Sequence, residues 1–276
     1  MNLVRSELLK IRTTNTWWLF GLGALLAWAL TFALNAFSAH VTFDLDIPEG
    51  LPPEQVEQLQ AQKDVVVQAT NLFTSGQFFG LLFVTLLGIL VVTNEFYHQT
   101  ATTTFLSTPR RTAVVLAKLV AATLLGAVFW LVTTAINIPA TMIFLSAEGV
   151  DHHLGDSVII EALLLNLLAY VLWGIFGVGF GVLIRSQIGA TITVVVLYLL
   201  GTVAASVLFV VLQQIFEADW ILELQVIVPS IASQLMITGD ELPGSPPQWV
   251  GAAVLIGYAV VTGVAGTLLV RKRDIS

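Results

Sequence analysis

The chain contains no cysteine, which excludes disulfide staples in its loops and thiolate metal sites. Charge is scarce as well. Of 276 residues only 11% are Asp, Glu, Lys or Arg, against 57% hydrophobic, and mean hydropathy is +0.89. Soluble domains carry about 25% charge, so this is the composition of a membrane protein. Histidine is limited to His40, His98, His152 and His153, all at the edges of apolar runs or between them, so haem or metal ligation inside a membrane lacks donors. His152 and His153 beside Asp151 and Asp156 read as a solvated polar turn, and no metal site is expected. The motifs HExxH, GxSxG and GxxxxGK followed by Ser or Thr are all missing, so zincin, serine-hydrolase and P-loop chemistry have no carrier. The chain is therefore expected to be no enzyme and to bind no cofactor itself.

What is present is length of apolar run. Crossing a hydrocarbon core about 30 Å thick takes roughly 20 residues, and six stretches qualify: Trp17 to Ala39, Gln77 to Asn94, Thr112 to Ser146, Val158 to Ile184, Ile188 to Phe216 and Trp249 to Val270. The third is long enough for its first turns to stand outside the membrane and for Pro139 to kink its far end. Only Lys118 and Glu161 are charged within these runs, both near an end and expected to snorkel. The membrane centre thus has no ionisable relay for ion-coupled transport.

Six spans place both termini on one side. That side then holds Arg5, Lys10, Arg12, Arg110, Arg111, Lys118, Arg185, Arg271, Lys272 and Arg273, ten of the 11 basic residues, with Lys63 opposite. Basic residues near span ends favour the cytoplasm, so both termini are expected there. Of the 18 acidic residues, 15 fall on the other side, so the net charge of -7 averages two unlike faces and does not point to nucleic acid. The first run is too long for a signal-peptide core, and Phe37 spoils a small-x-small cleavage site at Ala39, so no cleavage is expected. No linker divides the chain, and residues 1–276 read as one integral membrane domain.

Residues 1–16 place Val4, Leu8 and Ile11 on one stripe with Arg5 and Arg12 beside it, the pattern of a helix lying in a membrane interface; a plain basic flank is the alternative. The outer loop 40–76 contains a helix expected from Pro53. The outer segment 217–248 has an apolar middle broken by Pro229, too interrupted to span, and reads as a re-entrant or interfacial element. Gly174, Gly177 and Gly181 on the fourth span, and Gly263 and Gly266 on the sixth, form small-residue seams for helix packing or for a homodimer face.

One polar interruption stands out: "NEFYHQTATTTFLSTPRR", residues 94–111, between the second and third spans. The other inner link, "RSQ", is a tight turn, so a segment this long does more than reverse the chain. It offers about three helical turns from Glu95 to Ser107, with apolar contacts at Phe96, Tyr97, Phe105 and Leu106, and reads as a docking element for a cytosolic partner. A solvated loop whose Arg pair enforces topology is the alternative.

"RSELLKIRTTNTWW", "TNEFYHQTATTTFLSTPRRTAVVLAKLVA" and "GVLIRSQIGA", in that order among six spans, resemble an actinobacterial permease subunit of the type-2 ATP-binding cassette (ABC) exporter family. The resemblance covers nearly the whole chain. It implies an N-terminal elbow helix carrying Arg5, Leu8, Lys10, Ile11 and Arg12, a cytoplasmic coupling helix after the second span, and outer re-entrant helices between the fifth and sixth. It assigns contact with the ATPase to Glu95, Phe96, Tyr97, His98, Thr102, Phe105, Leu106, Arg110 and Arg111, and a supporting polar cluster to Glu95, Arg110, Arg111 and Lys118.

The reading is an all-α integral membrane protein with six transmembrane helices, the permease half of an exporter in a bacterial cytoplasmic membrane. The resemblance implies two copies of a separate cytosolic ATPase that binds ATP and Mg, and a second permease copy as homodimer or related heterodimer. Because the spans offer mostly Leu, Val, Ala, Phe and Gly, a hydrophobic or amphipathic drug, lipid or peptide is expected as substrate. Asn35, Thr85, Thr134, Asn137 and Asn166 are the candidate substrate path. A non-transporting scaffold or sensor subunit that recruits a cytosolic partner is the alternative.

Overall fold

A bilayer core has no water to satisfy backbone amides, so a chain this apolar closes its hydrogen bonds inside helices. The computed structural model describes residues 2–14, 16–48, 50–100, 104, 106, 110–218, 220–239 and 246–272, and among these there is no strand. In chain order the helices are α1 (Asn2–Thr13), α2 (Thr16–Asp44), α3 (Pro53–Lys63), α4 (Val65–Phe73), α5 (Gln77–Tyr97), α6 (Arg111–Ala147) and α7 (Ser157–Ile184). They continue with α8 (Gln187–Val196), a π-helical turn over Leu197–Gly201, and α9 (Thr202–Phe216). Then come α10 (Trp220–Glu223), a 3₁₀ turn over Leu224–Ile227, α11 (Pro229–Thr238) and α12 (Gln248–Lys272).

Among the described residues, six stretches are long and apolar enough to cross a membrane: Trp17–Asp44, Val65–Tyr97, Thr112–Ala147, Ser157–Ile184, Gln187–Phe216 and Gln248–Leu269. This is a multi-pass membrane protein. Six crossings return the chain to the side on which it began, called here the near side. The six expected runs are all found. The second is longer than its apolar core suggests, because α4 precedes α5 across a short break and buries Ala69, Thr70, Leu72 and Phe73. The loop expected over 40–76 is thus largely helical. Pro53 does begin a helix, and Asp64 caps the next by accepting from the Val66 amide. α6 runs unbroken through Pro139.

Beyond the fifth span, α10 with its 3₁₀ turn and α11 are bent by 102° where they meet. Pro229 occupies the first turn of α11, where its missing N–H costs nothing. The residue expected to break the segment therefore starts a helix, whose Ala232, Ser233, Leu235, Met236 and Ile237 are buried.

α7 is central and packs against α5, α6, α12 and α11. Lipid tails are as apolar as leucine, so helix association depends on close packing rather than on escape from water. The glycines of α7 supply that closeness. A Cβ on Gly177 would lie 2.2 Å from the Thr85 carbonyl oxygen on α5, and one on Gly174 would lie 2.8 Å from the Ala122 oxygen on α6. The seam on the fourth span is thus packing within the chain, whereas Gly263 on α12 faces open space. Burial is uneven. In the most apolar part of Val65–Tyr97, 78% of residues are buried, against 6% for Trp17–Asp44 and 11% for Gln187–Phe216. The first and fifth spans are therefore the periphery.

Candidate functional site: a buried ion network at the near side

Four charged side chains meet where α1, α5 and α6 converge. Lys10 Nζ lies 2.7 Å from Glu7 Oε1 and 2.5 Å from Glu95 Oε1, while Lys118 Nζ lies 2.8 Å from Glu7 Oε2 and 3.1 Å from Glu95 Oε1. Lys118 also donates to the Val91 carbonyl at 2.9 Å, and the Thr104 hydroxyl donates to Glu95 at 3.4 Å. Glu7, Glu95 and Lys118 are only 4 to 5% exposed. Burying an ion costs several kcal/mol unless partners and hydrogen bonds compensate it. Here two carboxylates and two ammonium groups sum to zero, and each carboxylate reaches both cations.

Local sequence places each member. Glu7 and Lys10 are three apart on α1 and share one side of it. Glu95 lies in the last turn of α5, where exposed carbonyl ends disfavour a carboxylate, so the two lysines offset an unfavourable position. For Lys10, desolvation lowers the pKa, but hydrogen bonds and attraction from Glu7 and Glu95 outweigh it, leaving the ammonium above its usual 10.5. Its contribution is therefore complete at neutral pH and fades only as pH rises through that raised value.

The expected polar cluster is found in part. Glu95 does pair with Lys118, but Arg110 is exposed with no ion pair to Glu95 among the described contacts, and the Arg111 side chain lies outside the described residues. Lys118 does not snorkel; it is buried. Lys10, assigned with Arg5 and Arg12 to the elbow helix, is exposed as they are, but its ammonium reaches inward to Glu7 and Glu95. Leu8 and Ile11 are half-buried, as expected of the apolar stripe. Glu7 was not expected at all. Its one signal is that it is the only acidic residue before Asp44, in an otherwise basic segment.

The docking segment also divides differently. Glu95, Phe96 and Tyr97 close the second span, and the chain turns at His98 and Gln99, the latter with φ +55°. Phe96 faces inward, packing near Val92, Ala122, Val178 and Val182 with the Arg185 guanidinium 5.3 Å over its ring. It is half-buried, with its ring against the helix bundle. Tyr97 and Leu106 remain exposed, at 65% and 77%, and His98 stacks edge-on against Tyr97. Thr102 and Phe105 lie outside the described residues.

The candidate substrate path is likewise split. Asn35 lines a polar chamber at the break between α4 and α5 and donates to Ser75 Oγ at 2.9 Å. Asn137 is instead a buried brace, accepting from Trp28 Nε1 at 2.6 Å and donating to the Ser75 carbonyl at 2.9 Å. It clamps the break from behind. Gly76 there has φ +82°, and a Cβ would meet Trp28 at 2.7 Å, so only glycine fits. Thr85 is fully buried against α7 and bonds back to the Leu81 carbonyl. Thr134 and Asn166 are buried with side-chain oxygens that lack a hydrogen-bond partner among the described residues. None of these three lines the chamber. The chamber residues missed from the sequence include Ser75, Gln77, Tyr198, Ser230 and Ser233, brought together only by folding.

The fold and this network define a multi-pass helical membrane protein with a charged brace at the near side. Residues 26–276 match the family described as Protein of unknown function (DUF2705), and the chain belongs to that family. No curated protein matches it.

Proposed function

We propose that this chain is the membrane-spanning permease subunit of an ATP-driven ABC exporter in a bacterial cytoplasmic membrane. It moves a hydrophobic or amphipathic substrate out of the cytoplasm or the inner leaflet. ATP and Mg bind a separate cytosolic ATPase present in two copies, and a second permease copy, identical or related, completes the transporter. The observation that carries this reading is the ion network: it ties α1, as the elbow helix, to the end of the second span where the coupling segment begins. A push delivered at residues 98–110 then passes through Glu95 to Glu7, Lys10 and Lys118, moving three elements together. Tyr97 and Leu106 supply exposed apolar surface for the ATPase beside the network. The bent pair α10 and α11 acts as the re-entrant element on the opposite side. Both termini are cytoplasmic on the basic-residue asymmetry.

Co-purification tests the docking. The tagged chain is expected to recover a Walker-motif ATPase from its native membrane. Tyr97→Asp with Leu106→Asp, which force unpaired charge into a desolvated contact, are expected to cut recovery at least tenfold while membrane insertion stays normal. ATP-driven substrate movement by the reconstituted complex separates a transporter from a scaffold. Undiminished recovery would return this segment to the status of a solvated loop.

Topology is tested by single thiols, which the absence of native cysteine makes unambiguous. Thiols at Gln60 and Ser157 are expected to react with an impermeant reagent added outside intact cells, and one at Ser186 to be shielded. Outside labelling of Ser186→Cys would overturn the six-span arrangement.

A further inference from the structure

Two cavities share a wall made by Tyr198 and Ser230. The first, about 200 Å³, is polar: its lining includes the amides of Asn35, Asn71, Gln77 and Gln234 and the hydroxyls of Ser75 and Ser233. The second, about 530 Å³, is apolar, walled by Phe176, Phe180, Leu197, Ile227, Val261 and their neighbours. That is within the usual size of a small-molecule site, whereas a single water needs only about 10–15 Å³. Among the described residues, neither lining contains an Asp, Glu, Lys, Arg or His. The Gln77 side-chain oxygen in the polar chamber is buried and has no hydrogen-bond partner among the described residues.

Between the chambers the Tyr198 hydroxyl donates to the Phe78 carbonyl at 2.6 Å, and the Thr202 and Ser230 hydroxyls lie 2.6 Å apart. Tyr198 belongs to the π-helical turn, a distortion common at functional sites. Depth differs between the two. At 1.5 Å per residue, Gly76 in the polar chamber stands about 32 Å from Tyr97 at the near side. The apolar chamber reaches Leu183, next to the near-side end of α7.

We propose that the paired chambers bind one amphiphile, with an uncharged, hydroxyl- or amide-rich head among Asn35, Gln77 and Gln234 and an apolar tail among Phe176, Phe180 and Val261. Amide and hydroxyl groups both donate and accept, which satisfies a neutral polyhydroxyl or amide head. A formal charge would enter this low-dielectric site without a counter-ion, at high cost. With the head toward the far side and the tail toward the near side, the bound molecule has the orientation of a lipid in the far leaflet. This deepens the permease reading and relies on it only for the ligand's being substrate.

The test uses the purified full chain in nanodiscs, without ATP or ATPase, and two photoprobes with the same diazirine-bearing alkyl tail: an alkyl glucoside and an alkyl phosphate. The phosphate arm is included because the first turn of α5, which has no side-chain cap, opens on the polar chamber and could favour an anion. The glucoside is expected to crosslink within Trp173–Leu183 or Tyr258–Thr262, to be displaced by unlabelled alkyl glucoside, and to exceed the phosphate at least fivefold. Ala205→Trp, which fills the tail chamber, and Gln77→Leu, which removes a head contact, are each expected to lower labelling at least fivefold. Equal labelling by both probes, or labelling unchanged in both variants, would overturn the proposal in favour of plain lipid access. Labelling as expected without a recovered ATPase would instead remove the permease reading and leave the site.

Discussion

Lys118→Met is expected to destabilise the protein by about 3–5 kcal/mol, the usual cost of stranding a buried ion. The substitution removes a cation that is 4% exposed and leaves Glu7 and Glu95 sharing Lys10 alone. At roughly 2–4 °C per kcal/mol, the unfolding midpoint in nanodiscs falls by about 10 °C. The double variant Glu7→Gln with Lys118→Met removes one charge of each sign and leaves the Lys10–Glu95 pair, so it is expected to recover much of that loss. The recovery separates charge balance from lost packing, since both variants lack the Lys118 ammonium. A midpoint for Lys118→Met within 2 °C of the parent would mean that the ammonium is solvated rather than paired.

Gly177→Leu is expected to have the largest effect of any single substitution on α7. Its Cβ would stand 2.2 Å from the Thr85 carbonyl oxygen and 3.0 Å from the Thr85 Cα. Those are backbone atoms in the middle of α5, so no side-chain rotation relieves the clash and the two most closely packed spans must separate. Losses above about 4–5 kcal/mol come from a few mechanisms, overpacking among them, and monodisperse protein is expected to disappear on size-exclusion chromatography. Gly263→Leu is the control. A Cβ there meets nothing within 4 Å, so the chain's own stability is expected to be unchanged. Normal recovery of Gly177→Leu would show that α5 and α7 do not approach as described.

The two substitutions mark different limits of sequence reading. The seam of Gly174, Gly177 and Gly181 is visible as spacing, but spacing cannot say which helix it faces, since packing and dimerisation use the same signal. Lys118 is visible as a charge inside an apolar run, and a lysine near a span end ordinarily snorkels to water. It stays inside because Glu7, from a helix more than a hundred residues earlier, arrives beside it. Phe96 and Tyr97 read alike as apolar contacts bordering a polar segment, and one helical step separates them, turning Phe96 toward Val178 and Val182 while Tyr97 points out.

By itself the sequence determined the number of spans and their order. Those are set by run length against bilayer thickness and by the need to satisfy every backbone amide locally. It also determined the charge asymmetry between the two sides, which is a property of composition along the chain. Only the tertiary structure decided which polar residues meet. Glu7 with Lys118, Asn137 with Ser75, and Tyr198 with Phe78 are separated by 111, 62 and 120 positions. No local propensity encodes such pairings; they exist because close helix contacts fix the depth and rotation of each span, and polar groups excluded from water then take the partners that packing leaves within reach.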